Sequence, residues 1–197
     1  MPKAYLSLGS NQEPEHHLAA AVQALRDTFG TVVLSDWVRT RAVGFDGPDF
    51  INGAAIIETD WDVYALNQWL HALEDAHGRR RDVPRFSSRT LDIDIIFFDD
   101  LILKGPGNLQ IPRPELKHAF VLQPLAQIAP AMQEAAIIGQ DPTFRSRGGN
   151  DWIALRRALG YPRDEFDVWN GVDRSDLFTV LPNFRQKMVR VGLSGSL

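Results

Sequence analysis

Thr90-Leu91-Asp92-Ile93-Asp94-Ile95-Ile96-Phe97-Phe98 is the stretch that most strongly constrains the fold, because it is the most strand-like run in the chain. Side chains alternate between the two faces of a strand, so Asp92 and Asp94 are predicted to share a face with Ile96 and Phe98. The other side chains are predicted to form an apolar opposite face: Leu91, Ile93, Ile95 and Phe97. The pattern therefore predicts a strand with an acidic start and a far end that is apolar on both sides.

Strands and helices alternate before this stretch. Residues 4–8 alternate in polarity and predict a first strand, and residues 32–40 and 50–58 predict two more. Apolar spacing predicts a helix from Pro14 to Phe29 that ends at Gly30, and a second helix that is capped by Thr59 or Asp60 and ends at Gly78. The order β-α-β-β-α-β predicts an α+β, ferredoxin-like sandwich in which helices cover one face of a largely antiparallel sheet.

Additional segments follow the last strand of this unit. A hairpin is predicted at 101–103 and 109–111, and a helix at 120–128, where Pro124 opens or kinks a turn. Residues 139–151 are rich in Gly, Asp, Arg and Ser and predict a linker, and residues 151–160 predict a short helix. We therefore expect a catalytic domain at residues 1–138 and a C-terminal extension at residues 139–197.

The overall composition excludes several classes of protein. The 197 residues contain no cysteine, which excludes disulfides, thiolate nucleophiles and cysteine-ligated metals. A net charge of −4 argues against a protein that coats nucleic acid. No stretch is apolar enough to span a membrane, and the N-terminus does not resemble a signal peptide. The expected compartment is the cytoplasm, with no nucleic-acid or membrane partner.

The acidic pair in the strand has two interpretations. Two carboxylates about 6 Å apart repel by about 3 kcal/mol at an effective dielectric of about 20, so a fold accepts them mainly where a cation binds. Oxygen ligands without His or Cys favour magnesium over zinc. The alternative is an edge strand with two solvated aspartates.

The loop before the strand is rich in arginine. Five of the 21 basic residues lie there: Arg79, Arg80, Arg81, Arg85 and Arg89. Guanidinium groups bind phosphate oxygens well, although the loop could also be a solvated one that pairs with neighbouring acids. Carboxylates for magnesium beside arginines for phosphate favour a nucleotide-using enzyme. The chain has no P-loop, dinucleotide, zinc-protease or serine-hydrolase motif.

Five blocks in order resemble the 6-hydroxymethyl-7,8-dihydropterin pyrophosphokinase family. These blocks are Leu6-Ser7-Leu8-Gly9-Ser10-Asn11, Pro48-Asp49-Phe50-Ile51-Asn52, Glu74-x-x-x-Gly78-Arg79-x-Arg81, Arg89-Thr90-Leu91-Asp92-Ile93-Asp94-Ile95 and Phe120-Val121-Leu122-x-Pro124-Leu125-x-x-Ile128-Ala129-Pro130. The resemblance covers residues 4 to about 130 and implies diphosphate transfer from ATP to a pterin alcohol in folate biosynthesis. It also implies a ferredoxin-like α+β fold.

The resemblance assigns roles to particular residues. It implies that Asp92 and Asp94 bind two Mg²⁺ ions and that Arg79, Arg81 and Arg89 handle phosphates. The implied nucleotide-side residues are Glu74, Arg85, Ile111, Arg113 and His118. The implied pterin site consists of Phe50 and Phe120, which sandwich the ring, Asn52, which recognises its edge, and the backbones of Thr40 and Val43.

The chain departs from the family pattern mainly on the nucleotide side. Arg113 stands where the family has histidine, and His118 stands where it has arginine, so the two basic residue types are exchanged. Arg85-Phe86-Ser87-Ser88 replaces the usual Arg-Trp-Gly-Pro. Three hypotheses follow: an ordinary pterin pyrophosphokinase, a divergent diphosphotransferase with a related acceptor or altered donor, and a catalytically weak pterin- or nucleotide-binding protein. The expected oligomeric state is a monomer or homodimer.

Overall fold

The computed structural model describes residues 1–84, 87–99, 101–129 and 179–180. The first half contains β1 (Lys3–Ser10), α1 (Pro14–Phe29), β2 (Val32–Leu34), β3 (Val38–Thr40), β4 (Phe50–Glu58) and α2 (Val63–Ala76). The second half contains β5 (Asp92–Phe98), β6 (Leu103–Lys104), β7 (Gln110–Ile111), a 3-10 helix (Pro114–Lys117), α3 (Ala119–Ile128) and β8 (Thr179–Val180). The predicted mixture of helices with an antiparallel sheet is confirmed.

One sheet forms the centre of the described fold. Its strand order is β5-β1-β4-β3-β8, β2 also pairs with β4, and every pair is antiparallel. The predicted second strand is interrupted between β2 and β3, where the Ser35 hydroxyl accepts a hydrogen bond from the Ala54 backbone N–H at 2.8 Å. Trp37 is 1% exposed and lies over Gly53, where a Cβ would come within 2.6 Å of the indole ring. The break in the strand thus allows a large side chain to be buried against β4.

Local residues mark both ends of α1 and the start of α2. Pro14 lies in the first turn of α1, and Gly30 follows its end with φ 77°. Asp62 caps α2, because its carboxylate accepts the backbone N–H groups of Tyr64 and Ala65 at 2.9 and 2.8 Å. The prediction of Thr59 or Asp60 as the cap was therefore wrong. The Thr59 hydroxyl instead accepts from the Trp61 N–H, which forms a turn before the helix.

The helices cover both faces of the sheet. Buried side chains of α1 and α2 form one apolar core with β1, β4 and β5, including Leu18, Leu25, Leu66 and Leu70. Helix α3 contacts β4, and its buried residues Val121 and Leu125, with Ala129 directly after its end, lie outside that core. The predicted covering of one face is therefore incomplete, because α3 covers part of the opposite face.

A β-bulge corrects the prediction for the far end of β5. Tyr5 pairs with Phe97, whereas the next residue of β1, Leu6, pairs with Ile95, so Ile96 is the extra residue. One extra residue reverses the alternation that follows it. Phe98 consequently joins the core with Ile95, and Phe97 packs edge-on against the Tyr5 ring at 6.1 Å. The predicted faces of Phe97 and Phe98 were interchanged.

The remaining predictions concern the chain after β5. The hairpin is shorter than predicted, since Leu103–Lys104 pairs with Gln110–Ile111. Helix α3 continues through Pro124. The predicted linker and short helix, and the boundary at residue 138, lie outside the described residues. Within the proposed extension the structure describes Thr179–Val180, which pairs with the outer edge of β3.

Candidate active site

The acidic pair lies at the start of β5, on the sheet face opposite the α1–α2 core. Asp92 is paired in register with Gly9 of β1, and Asp94 with Ser7. Their side chains are partly accessible, at 37% and 26% exposure. The alternation predicted for this end of the strand is preserved, because the bulge begins only beyond Ile95.

Each aspartate is paired with an arginine from a different segment. The Arg79 guanidinium, from the loop after α2, donates to the Asp92 carboxylate and to the Leu91 carbonyl. The Arg113 guanidinium, from the segment after β7, donates to the Asp94 carboxylate and lies 3.2 Å from Glu115. The structure therefore brings together Asp92, Asp94 and Arg79, which were predicted to bind metal or phosphate. Arg113, from the predicted nucleotide side, joins them.

The buried Glu74 carboxylate positions two of the arginines, Arg79 and Arg81. It is 3% exposed near the end of α2, and its carboxylate accepts the Ile93 backbone N–H at 2.8 Å. The same carboxylate lies 3.1 Å from Arg81 and 3.9 Å from Arg79. Burial, and next the Asp92 charge, raise the pKa of Glu74, while the Ile93 N–H and the arginines oppose this shift. Glu74 thus holds two guanidinium groups beside the acidic pair.

Arg89 and Arg85 are the remaining arginines predicted to bind the nucleotide or its phosphates. The Arg89 backbone N–H donates to the Asn11 side chain at 2.7 Å, and its guanidinium donates to Ser87. Burial, and next the positive charge of Arg79, lower the pKa of Arg89. Arg85 lies outside the described residues.

A second cluster, formed by Thr40, Asn52 and Gly9, lies beside the acidic pair on the same face of the sheet. Asn52 is 5% exposed and donates from Nδ2 to the Thr40 hydroxyl at 2.8 Å. A Cβ on Gly9 would lie 2.9 Å from Asn52 Oδ1, so the glycine makes room for the amide. The cluster therefore holds the buried Asn52 amide in a fixed orientation, and such an amide can recognise the hydrogen-bonding edge of a heterocycle.

The two predicted sandwich aromatics lie on different elements. Phe50 begins β4 and contacts Phe45 edge-on, with ring centroids 6.4 Å apart. Phe120 lies in the first turn of α3 and stacks on His118, with ring centroids 5.0 Å apart and an interplanar angle of 10°. Val43, predicted to contribute its backbone, is 41% exposed in the loop before β4.

Residues 5–130 match the sequence model of a family described as 7,8-dihydro-6-hydroxymethylpterin-pyrophosphokinase (HPPK). The chain belongs to this family. The matched residues contain both aspartates, Glu74 and the arginines that surround them. They end before β8, so the strand that extends the sheet beyond β3 lies outside the region characteristic of HPPK.

Curated relatives carry the name 2-amino-4-hydroxy-6-hydroxymethyldihydropteridine pyrophosphokinase. The Synechocystis sp. protein is 39% identical over 131 residues, which are 64% of this chain and 66% of the relative. The Pseudomonas aeruginosa protein is 36% identical over 136 residues, covering 66% and 83% of the two chains. The Bacillus subtilis protein is 33% identical over 138 residues, covering 68% and 81%.

The donor set suits the magnesium ions that the HPPK family implies. Mg²⁺ is commonly bound by one or two carboxylates, with substrate phosphates and water completing its octahedron. Asp92 and Asp94 fit that requirement, and within the described residues no cluster of three or more metal-ligating side chains offers a closed site. Burial, and next the Asp92 charge, raise the pKa of Asp94 to about 7 despite the opposing Arg113 charge. The pair therefore favours an added cation.

Ile111 and His118, which were also predicted on the nucleotide side, have different surroundings. Ile111 is 1% exposed and belongs to the apolar core, so a nucleotide contact at this position has to come from its backbone. His118 precedes α3, and its backbone N–H donates to the Glu115 carbonyl at 2.9 Å. Its ring is stacked on Phe120, which links the predicted nucleotide and pterin residues through one aromatic pair.

Sequence reasoning missed two structural roles near the site. Asn11 donates to the Pro48 carbonyl and to Ser88, besides accepting from the Arg89 N–H, and so joins β1 to both flanking loops. The second role is that of His17, which is 9% exposed and shares a 2.8 Å hydrogen bond with His77. The turn at Gly9-Ser10-Asn11 was the available signal for Asn11, whereas nothing local indicated the histidine pair.

No helix in the described part of the chain is long and apolar enough to cross a membrane.

Proposed function

We propose that this protein catalyses the Mg²⁺-dependent transfer of diphosphate from ATP to the hydroxyl of 6-hydroxymethyl-7,8-dihydropterin, with release of AMP, in folate biosynthesis. The observation that carries the proposal is the acidic pair of β5 surrounded by guanidinium groups. Asp92 and Asp94 lie against Arg79 and Arg113, with Arg81 held nearby by Glu74. Membership of a family of ATP-dependent diphosphotransferases supports the reaction class.

The reaction mainly requires that the negative charge of the phosphates is neutralised. The acceptor hydroxyl loses its proton to solvent as its oxygen forms a bond to the β-phosphorus of ATP. The bond from that phosphorus to the bridging oxygen breaks, and this oxygen leaves with AMP. Two Mg²⁺ ions, held by Asp92 and Asp94, would neutralise phosphate oxygens. Arg79, Arg81, Arg85, Arg89 and Arg113 are proposed to bind the triphosphate. Such transfer is accelerated mainly by positioning and electrostatic stabilisation, which these residues supply.

Glu74 and His118 complete the proposed nucleotide side in different ways. Glu74 acts through Arg79 and Arg81, because its buried carboxylate is already engaged by Ile93 and the arginines. We therefore assign Glu74 a positioning role. His118 is proposed to contact phosphate through its ring, and Ile111 the nucleotide through its backbone.

The pterin is proposed to bind beside the acidic pair. Asn52, oriented by Thr40, would hydrogen-bond the edge of the ring, and the backbones of Thr40 and Val43 would add further contacts. Phe50 and Phe120 would stack on its two faces, an arrangement that aromatic rings favour. This location would put the hydroxymethyl group on the Asp92 side of the ring, because Gly9 of β1 pairs with Asn52 on one side and with Asp92 on the other.

We also propose the ferredoxin-like topology for the unit formed by β1, α1, β2/β3, β4, α2 and β5. The central strand order, with β1 and β4 in the middle and every pair antiparallel, supports this proposal. The catalytic domain is proposed to span residues 1–138 and the extension residues 139–197. A cytoplasmic location and a monomeric or homodimeric state remain predictions.

One observation favours an alternative acceptor or donor. Arg113, which stands where the family has histidine, donates to the Asp94 carboxylate and to the Asn108 carbonyl, so a permanently charged side chain replaces a titratable one beside the second aspartate. A divergent diphosphotransferase that acts on a related hydroxymethyl heterocycle or uses another donor is therefore the second candidate.

Product analysis separates these candidates. The purified protein is incubated with ATP, Mg²⁺ and hydroxymethyldihydropterin, and AMP and the pterin diphosphate are quantified. AMP release that requires both Mg²⁺ and the pterin supports the proposal. AMP release with another hydroxymethyl heterocycle alone supports the divergent enzyme, and pterin binding without AMP supports a binding protein. The Asp92→Asn variant is the control for contaminating ATPases.

A further inference from the structure

We propose that Arg79 and Arg113 are the counter-ions of Asp92 and Asp94 when no ligand is bound. Metal ions then bind tightly to the two aspartates only after these arginines have moved to the phosphate oxygens of a triphosphate. The proposal deepens the proposed function, on which it rests, by describing how the site is assembled. It predicts that metal and nucleotide each bind weakly alone and strongly together.

The contacts of the two aspartates carry the first step. Arg79 reaches Asp92 from the loop after α2, and Arg113 reaches Asp94 from the segment after β7. The two arginine side chains are largely enclosed, at 14% and 15% exposure. Each carboxylate therefore has a cationic partner in the structure, and a metal ion that approaches it meets a like charge.

The second step concerns what the arginines can do when they leave the aspartates. Arg79 also donates to the Leu91 carbonyl at 3.0 Å and lies 3.9 Å from Glu74. Arg113 also donates to the Asn108 carbonyl and lies 3.2 Å from Glu115. These secondary partners keep each guanidinium at the site after its aspartate is taken. A guanidinium also has donors to spare for phosphate oxygens.

The third step is the coupling between ligands. A triphosphate supplies anionic oxygens for both arginines, which lowers the cost of uncovering the aspartates for metal. Metal on the aspartates in turn leaves the arginines available to the triphosphate. Because coupling between two ligands is reciprocal, each must raise the affinity of the other by the same factor.

The test measures Mn²⁺ binding without nucleotide, by the loss of the free-ion electron paramagnetic resonance signal. Arg113→Gln removes one resident charge and is expected to bind Mn²⁺ roughly tenfold more tightly than the unchanged protein. The conservative Arg113→Lys variant retains the charge and should stay near the affinity of the unchanged protein. Arg80→Gln is the matched control, because Arg80 forms an exposed pair with Asp82 in the same arginine-rich loop.

The second measurement is calorimetric binding of a non-hydrolysable ATP analogue with Mg²⁺. Arg113→Gln should bind this complex about tenfold more weakly, so that one substitution changes the two affinities in opposite directions. Circular dichroism and thermal unfolding establish that the variant is folded. Arg79→Gln provides an independent repeat at Asp92.

The outcomes are distinct from those that test the proposed function. Unchanged Mn²⁺ affinity in Arg113→Gln, or an equal gain in Arg80→Gln, overturns the proposal. Tighter Mn²⁺ binding with unchanged analogue affinity also overturns it, because the arginine would then not pass to the triphosphate. Opposite shifts without any pterin diphosphate formation would uphold the counter-ion exchange and reject the proposed reaction.

Discussion

The Glu74 carboxylate accepts the backbone N–H of Ile93 at 2.8 Å, and this bond joins the end of α2 to the strand that carries the acidic pair. Ile93 lies between Asp92 and Asp94, so the carboxylate fixes the backbone on which both are mounted. The same group holds Arg81 at 3.1 Å. One buried side chain therefore positions acids and arginines together.

Glu74→Ala should weaken both the fold and the site. The substitution leaves the Ile93 N–H without its acceptor and two arginines without a buried anion, and we expect a loss of about 1–3 kcal/mol in unfolding free energy. Chemical denaturation measures this loss, and calorimetry with an ATP analogue should detect weaker binding. Glu58→Ala is the control, because Glu58 forms an exposed pair with Lys3. Equal effects of the two variants would contradict the positioning role.

Asp94→Asn should abolish turnover without loss of the fold. The amide removes a ligand charge, and we expect the rate of pterin diphosphate formation to fall by about 100-fold or more. The unfolding free energy should change little, because the loss of one carboxylate relieves its repulsion with Asp92, and Arg113 keeps the Asn108 carbonyl and Glu115 as partners. Single-turnover assays and thermal unfolding measure the two quantities. A nearly normal rate would reject the metal assignment.

Gly9→Ala should weaken pterin binding selectively. The new Cβ would lie 2.9 Å from Asn52 Oδ1 and would displace the amide that orients toward the proposed pterin edge. We expect a pterin affinity about tenfold lower, with ATP-analogue affinity little changed. Gly105→Ala is the matched control, since its Cβ would find its nearest atoms at 3.4 Å, close to ordinary contact. If both alanine variants kept full pterin affinity, Asn52 would have no role in binding.

Phe120→Ala should mainly weaken pterin binding, because the ring is proposed to cover one face of the heterocycle. We expect a loss of about 1–3 kcal/mol in pterin binding free energy, measured by calorimetry. The His118 ring, now stacked on Phe120 at 5.0 Å, would lose that contact as well. An unchanged pterin affinity accompanied by a lower melting temperature would assign Phe120 to packing alone.

Stability should fall in acid because of the histidine pair. Burial lowers the pKa of His17, with His77 adding to the effect, and burial lowers the pKa of His77 as well. The unfolded chain then takes up protons first as pH falls through about 6.5, so the unfolding free energy decreases below that pH. Denaturation between about pH 8 and pH 5 should give a shallower dependence for His77→Asn than for the unchanged chain. Identical slopes would show that the pair does not contribute.

Local sequence patterns were sufficient for most of the fold. Alternation in β1 and β5 and helical spacing in α1 identified elements whose bounds the structure largely reproduces. The bulge at Ile96 could not be predicted, because apolar residues stand on both sides of it and the alternation carries no signal there. The cap of α2 was ambiguous because Thr59, Asp60 and Asp62 all precede the helix.

The site was predictable in its residue types but not in its pairings. The two aspartates and the arginine-rich loop lie near each other in sequence, and their composition indicated phosphate and metal chemistry. Arg113 and Asp94 are 19 positions apart, and His17 and His77 are 60 apart. Contacts of this kind depend on how the elements pack, which spacing within one segment does not encode.

The pairing of β8 with β3 has a practical consequence for anyone shortening the chain. The family match ends at residue 130, yet Thr179–Val180 covers the outer edge of the strand that bears Thr40. A polypeptide cut at that limit would present the edge of β3 to other molecules, and uncovered strand edges promote self-association. Loss of solubility in such a fragment would therefore reflect a missing neighbour strand rather than a defective active centre.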